Sequence, residues 1–93
     1  MVVRNNESAA RYELDLEDRT ATVTYRRKGD VITFMHTEAP PEPRGRTMAA
    51  RLIAGALEDV RSHGWKVRTI CPFVVSYVER HPEVHDLLAR DAP

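Results

Sequence analysis

The sequence has a single cysteine, Cys71, and no excess of charge of either sign. A lone cysteine forms no internal disulfide and cannot by itself build a thiolate metal site. Fourteen Lys and Arg residues are matched by fourteen Asp and Glu residues, so the chain lacks the basic footprint of proteins that bind nucleic acids or membrane surfaces. His63, His81 and His85 lack the spacing of a zinc site. We therefore expect no metal site, no nucleic-acid partner and no membrane partner.

Long apolar runs are also absent. No stretch approaches the roughly 20 apolar residues that span a membrane, and residues 1–7 lack the apolar centre of a signal peptide. We therefore expect a soluble, cytoplasmic protein. Its 93 residues suit one domain, and 42% hydrophobic with 30% charged residues is an ordinary globular composition. Residues 1–9 show no periodicity, which predicts a flexible N-terminus followed by one domain over residues 10–93.

Alternation of apolar and polar residues predicts strands over residues 12–16, 21–25 and 31–37. The links between these strands are short, and Gly29 can supply the positive φ of the second turn. Strands joined in this way form an antiparallel meander. The third strand is more apolar on both of its faces than the first two, which predicts an interior strand.

A helical period replaces the strand pattern after the three prolines in segment 40–43. From about Arg44, one apolar stripe at helical spacing contains Ala49, Leu52, Ile53, Ala56, Leu57 and Val60. Gly64 is suited to end this helix. Residues 65–70 predict a fourth strand, parallel to the third because a helical crossover joins them.

Two more prolines, Pro72 and Pro82, each fit the first position of a further helix. Together the elements predict an α+β fold, an α/β sandwich in which the mixed central sheet carries an antiparallel β-meander followed by an α-β-α-α sequence.

The start of the long helix is the first candidate site. Unpaired N–H groups and the helix dipole favour an anion at a helix N-terminus. Arg44 and Arg46 add positive charge there, and Gly45 would let backbone approach a ligand closely. These features indicate a phosphate site, although a solvated helix start that carries two arginines would have the same sequence.

Cys71 and His36 are the candidate catalytic residues. At the mouth of a helix, a Cys71 thiolate would be stabilised as a nucleophile or base, whereas a buried cysteine is more often a small apolar group. His36, near the end of the third strand, could act as a general base or be structural. Phe73 and Tyr77 could contact a cofactor or belong to the core.

Several short motifs make the sequence similar to a known family. They are His36-Thr37-Glu38-Ala39-Pro40-Pro41, Arg44-Gly45-Arg46-Thr47-Met48-Ala49, Cys71-Pro72-Phe73-Val74 and His81-Pro82-Glu83. In this order and at these distances, they resemble the small GNAT-like acyltransferases, and more narrowly the YjdJ-type N-acetyltransferase domain. The resemblance covers roughly residues 9–90. It implies a minimal GNAT core that lacks the helices that normally follow the first strand and help to form the amine site.

The resemblance also implies a cofactor, acetyl-coenzyme A (acetyl-CoA), bound where the third and fourth strands splay apart. Its pantetheine arm would pair with the backbone of Thr37, Glu38 and Ala39. Its pyrophosphate would rest on backbone N–H groups of the loop formed by Arg44, Gly45, Arg46, Thr47, Met48 and Ala49. This loop matches the phosphate site inferred from the residues themselves.

One position departs from the family pattern. The family loop follows Arg/Gln-x-x-Gly-x-Gly/Ala, and Thr47 replaces its central glycine in this sequence. A β-branched side chain at this point would either crowd the pyrophosphate or donate a hydroxyl hydrogen bond to it. The two readings predict opposite effects on cofactor affinity.

The resemblance implies an acetyl-CoA-dependent N-acyltransferase acting on an unidentified small-molecule or protein amine. The amine could attack the thioester directly, with His36 or a water accepting its proton, or the acetyl group could pass through Cys71. The alternative function is a non-catalytic acyl-CoA-binding or protein-interaction module on the same fold. We expect a monomer or a weak homodimer.

Overall fold

The computed structural model describes residues 3–16, 19–41 and 44–89. Five strands and two α-helices make up the fold: β1 (Val3–Asn6), β2 (Arg11–Leu16), β3 (Arg19–Lys28), β4 (Val31–Glu38), α1 (Arg44–His63), β5 (Lys66–Thr69) and α2 (Pro72–Arg80). Short 3₁₀ helices cover Glu7–Ala9 and Pro82–Leu87. Residues 17–18, between the first two predicted strands, and residues 42–43, at the end of the proline segment, lie outside the described residues.

The strands form one mixed sheet in the order β1-β2-β3-β4-β5. Neighbouring strands from β1 to β4 are antiparallel, which confirms the predicted meander. β5 is parallel to β4, as predicted for two strands that are joined by a helical crossover. Because β4 is paired on both sides, the prediction that it is an interior strand is also confirmed.

The N-terminal segment contains a strand that the sequence analysis did not predict, while the flexibility expected for residues 1–9 stays a prediction. Val3–Asn6 is the edge strand β1, which pairs with β2 from Val3 opposite Leu14 to Asn6 opposite Arg11. Four residues are too few to show a period, so this strand has no sequence signature. Its position depends on Gly55 in α1, where an added Cβ would lie 2.7 Å from the Cβ of Val3. Residues 1 and 2 lie outside the described part of the chain.

The helices begin and end close to their predicted bounds. Gly64 follows α1 with φ +73°, and the Trp65 N–H donates to the Val60 carbonyl at 3.0 Å, which closes the helix in a Schellman motif. The last predicted helix differs in type: Pro82–Leu87 is a 3₁₀ helix, in which the Val84 N–H donates to the His81 carbonyl. Short helical segments that connect other elements are often of this tighter type.

Both α-helices cover the same face of the sheet. Their buried side chains join Tyr12, Leu14, Val23 and Phe34 in one core cluster, so alternate residues of each strand point into a single layer of packing. The opposite face, called the open face below, presents polar side chains that include Glu13. No described helix is long and apolar enough to cross a membrane. The architecture confirms the predicted α+β class with a mixed sheet.

A hydrogen bond between Tyr12 and Asp59 joins β2 to α1 at 2.8 Å. Burial, and then the bond to the Asp59 carboxylate, raises the pKa of the Tyr12 hydroxyl well above its ordinary value of 10.0. The folded state therefore holds this proton more tightly than the unfolded state. The resulting stability is fully present below pH 10 and is lost as the pH rises above it.

We therefore expect the free energy of unfolding to fall above pH 10, by up to about 1.4 kcal/mol per pH unit from this one group. Tyr12→Phe should cost about 1 kcal/mol at pH 8, because it removes the hydrogen bond, and should make the alkaline decline shallower. Urea unfolding between pH 8 and pH 11 measures both. Equal alkaline slopes for the two proteins would contradict this explanation.

Candidate functional site

The parallel pair β4 and β5 opens at its carboxyl end. Their ladder runs from Val31 opposite Lys66 to Phe34 opposite Thr69, and the Ile70 N–H makes one further bond to the Phe34 carbonyl. β4 then continues to Glu38, paired with β3, while β5 ends and the chain turns into α2. Among the described strands, none pairs with the other edge of β4 beyond Phe34. This splay provides backbone groups that an extended ligand could use.

A β-bulge in β4 determines which side chains face the helices next to the splay. Tyr25 pairs with Phe34 but Thr24 pairs with His36, so Met35 is an extra residue. Simple alternation would place His36 on the buried face with Phe34. With the bulge, His36 shares the open face with Thr24, and Thr37 takes the helix-covered face.

His36 and Glu38 form an exposed pair on the open face. The His36 Nε2 lies 3.7 Å from the Glu38 Oε2, and the two side chains are 68% and 74% exposed. Glu38 is predicted above as a cofactor-binding residue. The structure directs its side chain away from the helices, so only its backbone borders the helix-covered side of the splay.

Cys71 lies on that helix-covered side, at the end of β5. It is the N-cap residue of α2, but its side chain makes no capping bond. The sulfur instead lies 3.2 Å from the Thr37 Oγ1, and Cys71 is only 3% exposed. The Cys71 N–H donates to the Thr69 hydroxyl at 3.2 Å. The structure therefore brings Cys71 to β4 beside Thr37, whereas His36 points to the other face of the sheet.

The predicted phosphate loop is the first part of α1. The N–H groups of residues 44–46 precede the first intrahelical bond, so they are the groups available to an anion. Thr47 is exposed, whereas Met48 and Ala49 are buried in the core. The side chains of these last two predicted cofactor residues are therefore not available to a ligand, because the apolar stripe of α1 begins with them.

Gly45 lies against Pro40 of the chain itself, whereas the sequence analysis expected a ligand beside it. An added Cβ at Gly45 would lie 2.8 Å from the carbonyl carbon of Pro40 and closer still to its oxygen. The close approach is thus made by the chain's own loop after β4. Gly45 holds that loop, including Ala39, against the start of α1.

A groove of about 490 Å³ runs between α1 and α2 from their N-terminal ends. Its lining residues come from both helices: Arg46, Ala50, Arg51, Ala54, Phe73, Ser76, Tyr77, Arg80 and His81. Three arginines and no carboxylate are among them. The groove therefore combines an apolar floor with positive charge, as a site for a phosphorylated organic ligand requires.

The groove brings together Arg46, Phe73 and Tyr77, three of the predicted cofactor residues. Phe73 and Tyr77 also pack against the core, and contact between these aromatics and a cofactor stays a prediction. The sequence analysis missed Arg51 and Arg80. Each lies off the apolar stripe of its own helix, and the only available signal was two cationic positions whose convergence depends on how the helices pack.

An aromatic pair forms one wall of the groove. The rings of Tyr77 and His81 are stacked with centroids 3.8 Å apart, and the His81 Nδ1 lies 2.7 Å from the Tyr77 carbonyl oxygen. Burial, with a smaller effect of the Glu83 charge, raises the pKa of the Tyr77 hydroxyl. The wall is therefore an aromatic surface with a fixed orientation.

Across residues 3–16, 19–41 and 44–89, no cluster of three or more His, Cys, Asp or Glu side chains is arranged to hold a metal ion.

Comparison with known proteins agrees with this geometry. A family model described as GCN5-related N-acetyl-transferase matches residues 11–87 of the chain. The fold is also similar to that of a Staphylococcus aureus protein solved by NMR in solution, described as GCN5-like with proposed N-acetyltransferase activity. The two share 20% sequence identity with a TM-score of 0.65, over 83% of this chain and 86% of that chain.

At that identity the structural likeness shows a shared fold alone, but the family model spans most of the sequence. The predicted resemblance to GNAT-like proteins is therefore confirmed, while the narrower YjdJ-type assignment stays a prediction. The chain belongs to the GCN5-related N-acetyltransferase family, whose members transfer an acyl group from acyl-CoA to an amine.

Proposed function

We propose that this protein transfers an acetyl group from acetyl-CoA to an amine by direct attack of the amine on the thioester. The observation that carries the proposal is that the splay beyond Phe34 and the arginine-lined groove lie at the same end of the fold. Phe73 lines the groove, and Cys71, two residues before it, contacts Thr37 in the splay. A ligand with an extended amide-containing arm and a phosphorylated end would fit the two together.

The backbone of β4 beyond Phe34 would hold the pantetheine arm, because its groups on that edge lack a strand partner in the described structure. The N–H groups of residues 44–46 would receive the pyrophosphate, assisted by the helix dipole. Thr47 is exposed next to them, and in this proposal its hydroxyl would donate to a phosphate oxygen. The thioester would then lie near Thr37.

The reaction needs an acceptor for one proton. The amine nitrogen forms a bond to the thioester carbon, the carbon–sulfur bond breaks, and CoA leaves as a thiolate that takes up a proton. His36 and Glu38 are exposed on the open face at this end of β4, so an amine that approaches from that face can pass its proton to His36. Direct attack needs no other nucleophile.

The environment of Cys71 favours direct attack over the covalent route. Its thiol is buried and hydrogen-bonded to Thr37, and the register places His36 on the opposite face of the sheet. The thiol therefore lacks an adjacent imidazole to remove its proton, which is how nucleophilic cysteines are commonly activated. We assign Cys71 to the wall of the site.

Two variants test this assignment. We expect His36→Gln to lower the rate of amine acetylation by about a hundredfold, the usual share of a general base, without changing acetyl-CoA binding. Cys71→Ala should retain most of the rate. Release of CoA from acetyl-CoA with a mixture of diamines, amino acids and lysine peptides measures turnover, and calorimetry measures binding.

Cys71→Ser is the matched control, because it keeps a hydrogen-bonding group beside Thr37. The covalent route predicts the reverse pattern: loss of turnover in both cysteine variants, and a wild-type chain that gains the mass of one acetyl group when incubated with acetyl-CoA alone. Binding of acetyl-CoA without turnover on any amine would favour the non-catalytic acyl-CoA-binding module. Such a role would suit a sheet whose open face no described helix covers.

A further inference from the structure

We propose that the amine acceptor is a lysine in an acidic peptide segment, which binds across the open face of the sheet to a cluster of cationic residues. This inference rests on the proposed function and names the class of its acceptor. The cluster, called the cationic patch below, consists of Arg26 and Lys28 of β3 and Lys66 and Arg68 of β5.

The strand register brings the four residues of the cationic patch together. Two rows of paired residues cross the sheet here from β3 through β4 to β5: Arg26–Thr33–Arg68 and Lys28–Val31–Lys66. Neighbouring strands lie about 4.8 Å apart and alternate residues of one strand about 6.8 Å, so the four backbone positions outline roughly 10 by 7 Å. No carboxylate belongs to these rows, since the nearby Asp30 lies in the turn between β3 and β4.

The cationic patch lies on the open face and is accessible. Tyr25 and Val67 directly precede Arg26 and Arg68 and point into the core, and successive side chains of a strand alternate between its faces. All four cationic side chains are exposed. The Lys66 Nζ donates to a backbone carbonyl of the last 3₁₀ helix at 2.9 Å, so the two cations of β3 are the members best placed to receive a partner.

The other charges of the open face compensate one another. Arg4 binds Glu13 and Asp15, and Arg11 binds Glu13, so two cations are matched by two carboxylates. The pairing of β2 with β3 ends at Arg11 opposite Thr24, before the cationic patch begins. The patch is therefore a separate region of positive charge in a chain whose net charge is zero.

The distance from the patch to His36 suits an extended peptide. His36 pairs with Thr24, and Arg26 and Lys28 follow Thr24 by two and four residues. At about 3.4 Å per residue, they lie roughly 7 and 14 Å along β3 from the row that contains His36. An extended peptide whose lysine reaches His36 would place its neighbouring residues over the patch, where carboxylates would be attracted.

An acidic peptide suits this surface better than a small amine or a nucleic acid does. Sites for small molecules are concave, whereas the patch spans three strands of a face that no described helix covers. Nucleic acids require many phosphate contacts along a basic surface, and the charges beside the patch are already compensated by carboxylates.

Acetylation of two synthetic peptides tests the proposal. Each has blocked ends and one lysine with three residues on either side, all glutamate in one peptide and all glutamine in the other. We expect the wild-type protein to have an about tenfold lower KM for the glutamate peptide, because several exposed ion pairs of modest strength add together. Arg26→Glu should reduce this preference about threefold, and Arg26→Glu/Lys28→Glu should remove it, with kcat for the glutamine peptide unchanged.

Arg27→Glu is the matched control. It makes the same change of charge one residue away, but the Arg27 guanidinium lies 4.4 Å from the centre of the Trp65 ring, on the core side of the sheet. The preference for the glutamate peptide should therefore persist. Circular dichroism of each variant verifies that it is folded.

The outcomes separate this proposal from the proposed function. Equal KM values for the two peptides with the wild-type protein, or equal loss of the preference in Arg26→Glu and Arg27→Glu, overturns the acidic acceptor and leaves acetyl transfer intact. Turnover of diamines or amino acids without turnover of either peptide does the same. Equal KM values together with inhibition by a DNA oligonucleotide would assign the patch to nucleic acid instead. Absence of turnover with every amine overturns both proposals.

Discussion

The dissociation constant for acetyl-CoA is expected to rise by about a hundredfold when Ser76 is replaced by tryptophan. Ser76 is half-buried on α2 and lines the groove of about 490 Å³ between the two helices. An indole ring at this position would occupy the space that the proposed ligand needs. Calorimetry with acetyl-CoA measures the effect.

Glu79→Trp provides the matched control, since Glu79 is exposed on the same helix and does not line the groove. It adds the same indole ring to α2 and should leave binding within about twofold of wild type, because surface substitutions away from a site have small effects. If Ser76→Trp bound acetyl-CoA as tightly as Glu79→Trp does, the groove would not be the ligand site.

Gly45→Ala is expected to destabilise the protein by roughly 1–3 kcal/mol, the usual cost of overpacking a close contact. Helix propensity alone predicts the opposite sign, a gain of about 0.5–1 kcal/mol for alanine over glycine inside a helix. We expect the overpacking cost to exceed the gain in helix propensity, because an added Cβ cannot fit beside the Pro40 carbonyl. The loop after β4 must then move away from the start of α1, which should also weaken acetyl-CoA binding.

Gly64→Ala is the comparison for this prediction. It strains a residue with φ +73° but meets no neighbouring atom, so it should cost about 1 kcal/mol and leave acetyl-CoA binding unchanged. Urea unfolding and calorimetry on both variants give the two quantities. A Gly45→Ala protein that is more stable than wild type and binds normally would show that the contact with Pro40 is unimportant.

The elements that the sequence predicts well are those that depend on local chemistry. The apolar spacing from Ala49 to Val60 is enough to predict a helix with one buried face. Gly29 and Gly64 both have the positive φ that their turns require. The parallel pairing of β4 with β5 follows from the length of the helical crossover between them. Each of these inferences uses neighbours within a few residues or a general rule of topology.

The features that escaped prediction depend on contacts between distant segments. The edge strand β1 depends on two contacts of Val3, which pairs with Leu14 of β2 and packs against Gly55 of α1. The bulge at Met35 reverses the face of His36, and a one-residue shift of this kind leaves no mark in the alternation of the sequence. The convergence of Arg51 and Arg80 requires knowledge of how α1 lies against α2.

The candidate site was therefore predictable as a set of segments and not as an arrangement of side chains. The motifs around His36, Gly45 and Cys71 do meet at the carboxyl end of the parallel strands. The sequence could not show that the sulfur of Cys71 faces Thr37 while His36 lies across the sheet. That separation disfavours a covalent route through Cys71, because His36 does not lie beside the thiol to remove its proton.

The most direct test of the central claim is a titration of ¹⁵N-labelled protein with acetyl-CoA, followed through the amide resonances. The proposed site predicts the largest shifts at residues 35–38, 44–47 and 73–81, which border the splay, the start of α1 and the groove. Unchanged resonances at about 1 mM ligand, a weak affinity for any specific site, would contradict it. So would shifts confined to the open face of β1 and β2.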